Sequence, residues 1–149
     1  MEAKPSQEHM RAWRTSLTAH SRIVARMADD LEREARLPLP WYEVLLLVRE
    51  SPTGQLRMHE LAESRLLGRS AATRLIDRME RAGLVTRNAV EEDRRGTFVE
   101  LTEKGLEKLR AAAPIHVKGI EDYFAAHLSV DEAVIVEDVM RRMADGLSA

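Results

Sequence analysis

The sequence predicts a mostly α-helical protein with one small β-hairpin, and three observations carry this prediction. Apolar residues recur at helical spacing in long stretches at both ends of the chain. Alanine, leucine, arginine and glutamate are plentiful while aromatic residues make up only 4% of the chain, which favours helices over sheet. Residues 84–89 and 97–101 are the arms of the expected hairpin, joined through an Asp-Arg-Arg-Gly segment.

The first helix is predicted over residues 7–36. Its apolar residues follow each other at alternating steps of three and four, which is typical of a helix that packs along another helix. The residues of this seam are Met10, Trp13, Leu17, His20, Val24, Met27 and Leu31. Prolines at positions 38 and 40 end this helix, so we expect the second helix to span residues 41–50.

The remaining elements follow from turn and capping signals. We expect a short strand at 55–58, a helix at 59–66, a turn at 66–68, a helix at 69–82 that stops at Gly83, and a helix at 102–126 kinked at Pro114. Ser129 and Glu132 form a capping-box pattern, which predicts a last helix that reaches residue 147.

Composition excludes several classes of protein. The chain has no cysteine, which rules out disulfides, thiolate zinc sites and thiol redox sensing. No apolar run is long enough to span a bilayer, and the polar N-terminus lacks the apolar core of a signal peptide, so we expect a cytoplasmic protein without a membrane partner.

No enzyme or cofactor motif is present, so no catalytic residue, cofactor or metal site is expected. The five histidines lack the ligand spacing of a metal site. His116 and His127, for example, are separated by eleven residues of predicted helix, or roughly 16 Å, which is too far for one ion.

Residues 65–96 carry a local positive charge on a chain whose formal net charge is −2. Eight arginines and five acids lie in this segment, a local charge of +3, which suits one docking face for nucleic acid. In the predicted helix 69–82, four residues form a buried stripe, and charged residues lie opposite. The stripe consists of Ala72, Leu75, Ile76 and Met79. A solvated charged surface is the alternative interpretation of this face.

A cationic helix followed directly by a hairpin with an arginine tip is the order of a winged helix-turn-helix. The N-terminal part of such a helix meets base edges in the major groove, which selects Arg69, Ser70, Ala71, Thr73 and Arg74. Arg78 is expected to contact a phosphate or to pair internally with Asp77 or Asp93. Arg94 and Arg95 would enter the minor groove, with Asp93 holding an arginine in place.

The pattern as a whole resembles the MarR (multiple antibiotic resistance regulator) family of bacterial transcription factors. The most specific part is a D-x-R-G tip followed by V-x-L-T-x-x-G. The segments that carry the resemblance are His59–Ala62, Arg69–Glu80, Ala82–Val85, Asp93–Gly96 and Val99–Gly105. Gly68 departs from the pattern, because many relatives have Ser or Thr there to cap the recognition helix.

The resemblance implies a triangular homodimer whose two winged helices straddle a pseudo-palindromic operator in double-stranded DNA. Asp93 and Arg95 match the wing-tip residues of the family. The expected domains are an N-terminal dimerisation helix (1–40), a winged helix-turn-helix (41–102) and C-terminal dimerisation helices (103–149). The apolar residues of the terminal helices independently favour a second copy, although the two ends of one chain covering each other is the alternative.

The resemblance also implies a small-molecule effector, often aromatic or phenolic, bound between the dimerisation helices and the winged helix. The candidate lining residues are Trp13, His20, Trp41 and Tyr42, for which ordinary helix packing is an equal alternative. The expected function is therefore a ligand-responsive transcriptional repressor released by such a molecule. The alternative is a winged-helix dimer that binds other proteins and no DNA.

Overall fold

The structure, a computed structural model, describes residues 4–64, 69–90 and 93–148, and residues 64, 69, 90 and 93–95 by their backbone alone. The order of elements confirms the predicted mostly helical class with a small sheet. They are α1 (Gln7–Ala35), α2 (Leu39–Glu50), β1 (Gln55–Arg57), α3 (Met58–Ser64), α4 (Arg69–Arg81), β2 (Val85–Val90), β3 (Asp93–Leu101), α5 (Glu103–Tyr123), a 3₁₀ turn (Ala125–His127) and α6 (Val130–Gly146).

Several predicted boundaries differ from the structure by one to four residues, and two of these differences have a local reason. Helix α2 begins at Leu39 rather than at 41, since Pro40 lies in the first helical turn, where its missing N–H has no helical partner to lose. Strand β3 begins at Asp93 rather than at 97, so the second arm of the hairpin includes the backbone of the Asp-Arg-Arg-Gly segment. The turn predicted at 66–68, with Gly68, lies outside the described residues.

The three strands form one antiparallel sheet in the order β1-β3-β2. Gln55 is paired with Glu100 at one edge of β3, and Val85 is paired with Leu101 at the other. The β2–β3 register shifts between Ala89 and Val90, near the tip of the hairpin. The hairpin is thus the larger part of a three-stranded wing, in which β1 supplies the strand that the sequence predicted without a partner.

The chain divides into two compact units, a central unit of residues 30–115 and a terminal unit of residues 1–29 and 116–149. In the central unit α2, α3 and α4 pack with the sheet around a closed apolar core. The predicted stripe of α4 is confirmed, because each of its four side chains is at most 3% exposed. Other core residues of this unit include Leu31, Leu37, Val44, Leu45, Val48, Leu61, Val85 and Val99.

The terminal unit is built differently, because most of its large apolar side chains are exposed. Among its described residues, Met27 is the one large apolar side chain that is buried. Trp13 is 61% exposed on α1, and Met143 is 57% exposed on α6. Helix α6 begins with the predicted capping box, in which the Ser129 hydroxyl accepts from the Glu132 N–H and the Glu132 carboxylate accepts from the Ser129 N–H.

None of the helices in the described ranges has a stretch both long and apolar enough to cross a membrane.

Candidate nucleic-acid interface

The outer face of α4 is polar and open to solvent. Ser70, Thr73 and Arg74 are exposed in its first half, and Arg78 and Arg81 are exposed in its second half. Four side chains of this face line a shallow groove of about 270 Å³. They are Arg74, Asp77, Arg78 and Arg81. The helix therefore buries one stripe in the core and presents cations on the opposite side, as the sequence predicted.

The two acids of this face are held by an arginine from the neighbouring strand. The guanidinium Nη2 of Arg87 on β2 lies 2.6 Å from Asp77 Oδ1 and 3.2 Å from Glu80 Oε1. The backbone N–H of Arg87 also donates to Glu80 Oε2, with an N···O distance of 3.0 Å. One strand residue thus binds both carboxylates of the recognition helix.

This arrangement leaves three arginines of α4 without an acidic partner among the described residues. In the part of the chain that the structure describes, no carboxylate lies within 4 Å of the guanidinium groups of Arg74, Arg78 or Arg81. Of the two alternatives for Arg78, an internal pair with Asp77 is wrong, because Asp77 is bound to Arg87 instead. The other candidate partner, Asp93, is described by its backbone alone.

Arg87 is one of the eight arginines of residues 65–96, and the sequence pattern predicted no role for it. A usable signal was present, because side chains two residues apart in a strand lie on the same face. Val85 is buried against the core of the central unit, and α4 packs on β2, so Arg87 is directed towards α4 rather than away from it. The pairing of a strand arginine with helix acids three residues apart follows from that placement.

The wing is joined to α5 by a compact set of hydrogen bonds. The Thr102 hydroxyl donates to the Gly83 carbonyl over 2.5 Å and accepts from the Gly105 N–H over 3.0 Å. The Thr102 N–H donates to the Leu84 carbonyl, and the Lys104 ammonium donates to the Ala82 carbonyl, over 3.0 and 2.9 Å. These bonds fix the end of α4 and the end of β3 to the start of α5.

Further contacts stabilise the β1 side of the wing. The guanidinium of Arg57 lies 5.2 Å from the centroid of the Phe98 ring, a cation–π arrangement. The Gln55 amide donates to the Glu100 carboxylate on the adjacent strand. The β1–β3 side of the wing therefore has specific cross-strand pairs, and hydrogen bonds join the base of the wing to the residues that follow α4.

The side chains that would make the predicted wing-tip contacts lie outside the described part of the structure. The side chains of Asp93, Arg94 and Arg95 are not among those the structure describes, and neither is the side chain of Arg69. The backbone places Asp93, Arg94 and Arg95 at the start of β3 and Arg69 at the first residue of α4. Their roles at the minor and major grooves stay predictions.

Comparison with known proteins agrees with this geometry. The family model described as "MarR family" matches residues 37–96. HosA, a transcriptional regulator of Escherichia coli, is 30% identical over 107 residues, which cover 72% of this chain and 77% of HosA. The chain belongs to the MarR family.

Two further MarR relatives extend the comparison. The regulator MhqR of Bacillus subtilis is 30% identical over 96 residues, and the matched part spans 64% of this chain and 64% of MhqR. The structure of Sco3205, a MarR family transcriptional regulator from Streptomyces coelicolor in complex with DNA, is similar over 100% of this chain and 93% of that chain. Its TM-score is 0.92 and its sequence identity is 31%. The relatives and the fold are those of transcription regulators and not of enzymes, as predicted.

The four residues predicted to line a MarR effector pocket lie in both units. In the terminal unit Trp13 and His20 are exposed, and Trp13 lines an open apolar groove of about 580 Å³. In the central unit Trp41 is half-buried and Tyr42 is buried, and this burial, with the charge of Glu50, raises the pKa of Tyr42. An effector site made by these four residues stays a prediction.

Within the described ranges, no three histidine, aspartate or glutamate side chains are grouped so that they could hold a metal ion.

Proposed function

We propose that this MarR-family protein is a sequence-specific transcriptional regulator that binds double-stranded DNA through α4 and the wing. One observation carries the proposal. The outer face of α4 presents Arg74, Arg78 and Arg81 to solvent, while both acids of that face are bound by Arg87. A helix with this charge distribution is attractive to the phosphates that flank a major groove, and its N-terminal residues reach base edges.

The other parts of the proposed interface follow from the same docking. Arg69, Ser70, Ala71, Thr73 and Arg74 occupy the first turns of α4, where base contacts are made in helix-turn-helix proteins. The hairpin brings Arg94 and Arg95 to the minor groove, with Asp93 as the partner that orients an arginine. The structure of Sco3205 in complex with DNA, whose fold matches the whole of this chain, supports DNA binding by this fold.

We also propose that the protein acts as a homodimer on a pseudo-palindromic operator. The terminal unit exposes a large number of apolar side chains and buries one large one among its described residues, so it lacks the core that would stabilise it alone. Val136, Val139, Met140 and Met143 share one face of α6 at spacings of three and four, and Leu147 follows at the C-cap of this helix. A second copy of the chain would supply the missing apolar surface and would place two recognition helices on one duplex.

The regulation we propose is repression relieved by a small aromatic or phenolic molecule. A dimer bound to its operator excludes other proteins from the same DNA. Repression by exclusion therefore requires no protein surface beyond the DNA-binding one. BpsR of Bordetella bronchiseptica, which has the same fold at 19% sequence identity and a TM-score of 0.81, has its DNA binding regulated by 6-hydroxynicotinic acid. The fold is therefore compatible with such control, and Trp13, His20, Trp41 and Tyr42 are the proposed contacts.

The test is a fluorescence-polarisation titration of duplexes from the promoter region of the protein's own gene, at several salt concentrations. We expect the logarithm of the binding constant to fall linearly with the logarithm of salt, because each neutralised phosphate releases counterions. Arg74→Ala and Arg95→Ala should each weaken binding by roughly 1–3 kcal/mol, the cost typical of a lost base-contacting arginine.

The matched control for this test is Arg22→Ala, which removes an exposed arginine of α1 far from α4 in sequence. It should leave the affinity unchanged. Weak binding of wild type at every salt concentration would contradict the proposal and favour the alternative, a winged-helix dimer that binds other proteins and no DNA. Equal losses in Arg22→Ala and Arg74→Ala would show that binding depends on overall charge rather than on the α4 face.

A further inference from the structure

The ion-pair cluster of Asp77, Glu80 and Arg87 links the recognition helix to the wing at its outer surface. The Glu80 carboxylate accepts from both the backbone N–H and the guanidinium of Arg87, over 3.0 and 3.2 Å. The Nη2 atom of the same guanidinium also lies 2.6 Å from Asp77 Oδ1. All three side chains are between 31% and 38% exposed, so the cluster borders the solvent where DNA would lie.

Helix geometry gives these acids competing partners. Asp77 is three residues after Arg74 and four residues before Arg81, the two spacings at which side chains on a helix meet. The side chains of Asp77, Arg74 and Arg81 line the same groove. In the described structure, however, the guanidinium groups of these two arginines are not within 4 Å of the Asp77 carboxylate. The stronger contact of Asp77 is with the strand arginine, which holds the carboxylate away from both helix cations.

We propose that Arg87 is a positioning residue for DNA binding, which sequesters Asp77 and Glu80 so that Arg74 and Arg81 are free to meet phosphates. This inference rests on the proposed function. Without Arg87, Asp77 would pair along the helix with Arg81 or Arg74 and withdraw that arginine from the DNA, and the Glu80 carboxylate would be left unneutralised beside the DNA backbone. Arg87 acts through these acids and is not itself the group that contacts DNA.

The first experiment measures DNA affinity and its salt dependence for Arg87→Gln. We expect a loss of about five- to tenfold near 0.1 M salt for each arginine withdrawn. The slope of the logarithm of affinity against the logarithm of salt should become shallower by about 0.9 for each such arginine. Arg22→Gln, which removes one exposed charge from α1, is the matched control and should change neither quantity.

Rescue by neutralised acids separates positioning from direct contact. The double variant Arg87→Gln/Asp77→Asn should regain most of the lost affinity and of the salt slope, since the competing charge is gone. A merely structural role of Arg87 would lower the melting temperature without this rescue. A double variant as weak as Arg87→Gln would overturn the inference, and an unchanged melting temperature would then indicate that Arg87 contacts DNA directly.

Two further variants keep the test decisive if Arg87→Gln does not fold. Asp77→Asn alone should bind DNA at least as tightly as wild type, and a clear loss would contradict the inference. Arg87→Lys retains the positive charge and should retain most of the affinity. If the wild-type protein binds no duplex, the proposed function fails as a whole, whereas wild-type binding with an unaltered Arg87→Gln titration overturns this inference alone.

Discussion

The arginine residues of segment 65–96 have two different environments, although a charge count treats them as equal. Arg74, Arg78 and Arg81 extend from α4 without a carboxylate within 4 Å in the described structure, whereas Arg87 is bound to two acids of the same helix. The segment's charge of +3 was predictable from the sequence. The sequence does not show which of these arginines are already paired. That depends on the distances of 2.6 and 3.2 Å between the Arg87 guanidinium on β2 and the carboxylates of Asp77 and Glu80 on α4.

Tyr42 leads to a prediction about the dependence of stability on pH. Burial raises the pKa of its phenol above the ordinary value of 10.0, and the negative charge of Glu50 raises it further. Below that ordinary value both the folded and the unfolded chain keep the proton, so the free energy of unfolding is unaffected. As pH rises past it the unfolded chain loses the proton first, so the free energy of unfolding decreases until the folded phenol also ionises.

Urea unfolding between pH 8 and pH 11 measures this effect. Tyr42→Phe should lose less stability than wild type above pH 10, because it has no phenol to ionise at this position. The stability loss of Glu50→Gln should lie between those of wild type and Tyr42→Phe, because this variant removes one of the two causes of the raised Tyr42 pKa. Parallel stability curves for wild type and Tyr42→Phe would contradict the prediction.

At the scale of the elements, the most specific sequence signature of the family proves to be partly structural. In V-x-L-T-x-x-G, Val99 is buried in the core, and Thr102 bonds to both the Gly83 carbonyl and the Gly105 N–H. Gly83, at φ +78°, ends α4 in the left-handed conformation that favours glycine. The sequence identified these residues by resemblance, while the structure shows that they join the wing to the start of α5.

Gly105 gives the sharpest stability prediction at this junction. A Cβ at this position would lie 2.0 Å from the Leu84 carbonyl oxygen, which is backbone and itself accepts the Thr102 N–H. Gly105→Ala should therefore force α5 away from the hairpin and cost roughly 1–3 kcal/mol or more of unfolding free energy. Chemical denaturation, followed by circular dichroism, checks it.

Gly146→Ala is the control, because a Cβ there would have no heavy atom within 4 Å and alanine is the better helix former. It should leave stability unchanged or raise it by up to about 1 kcal/mol. Equal stability of Gly105→Ala and wild type would show that the α5–hairpin junction yields more easily than its geometry implies.

Boundaries and pairings between elements were harder to predict than the elements themselves. Periodicity located every helix to within a few residues, because it reports which side chains are buried. The partner of β1 was not predictable, since the pairing of Leu56 with Val99 joins residues far apart in sequence. The longer β3 was also missed, because backbone hydrogen bonds rather than apolar alternation extend it to Asp93.

For the whole molecule, the two units differ in how much apolar surface they bury. The central unit closes its own core, and the terminal unit exposes the apolar face of α6 and much of the α1 seam. The sequence predicted this excess of exposed apolar surface, and the structure shows which side chains contribute to it. It supports the proposed dimer, whose formation would remove that surface from water.

Met143→Asp tests the dimer. Met143 is 57% exposed within one chain, so the substitution should leave the subunit fold intact and place a charge in the proposed interface. Sedimentation velocity at micromolar concentration should show wild type at twice the subunit mass of 16.9 kDa and the variant shifted towards the single mass. DNA affinity should fall in parallel, since one subunit contacts one half-site.

The control for this experiment is Arg142→Asp, which reverses a charge on the polar face of α6 beside Asp138. It should sediment as wild type does. A wild-type protein that sediments as a single subunit would overturn the proposed dimer, and a Met143→Asp variant with unchanged mass would remove this face of α6 from the interface.

The amino-acid sequence by itself determined the helical class, the order of the elements, the buried stripe of α4 and the position of the cationic segment. These features depend on local periodicity and residue type, which a linear pattern contains. Tertiary structure alone decided that β1 pairs with β3, that Arg87 binds the acids of α4, and that Gly105 closes on Leu84. The physical reason is that such contacts act only over a few ångströms. Residues that are far apart in the sequence come that close only when the chain folds.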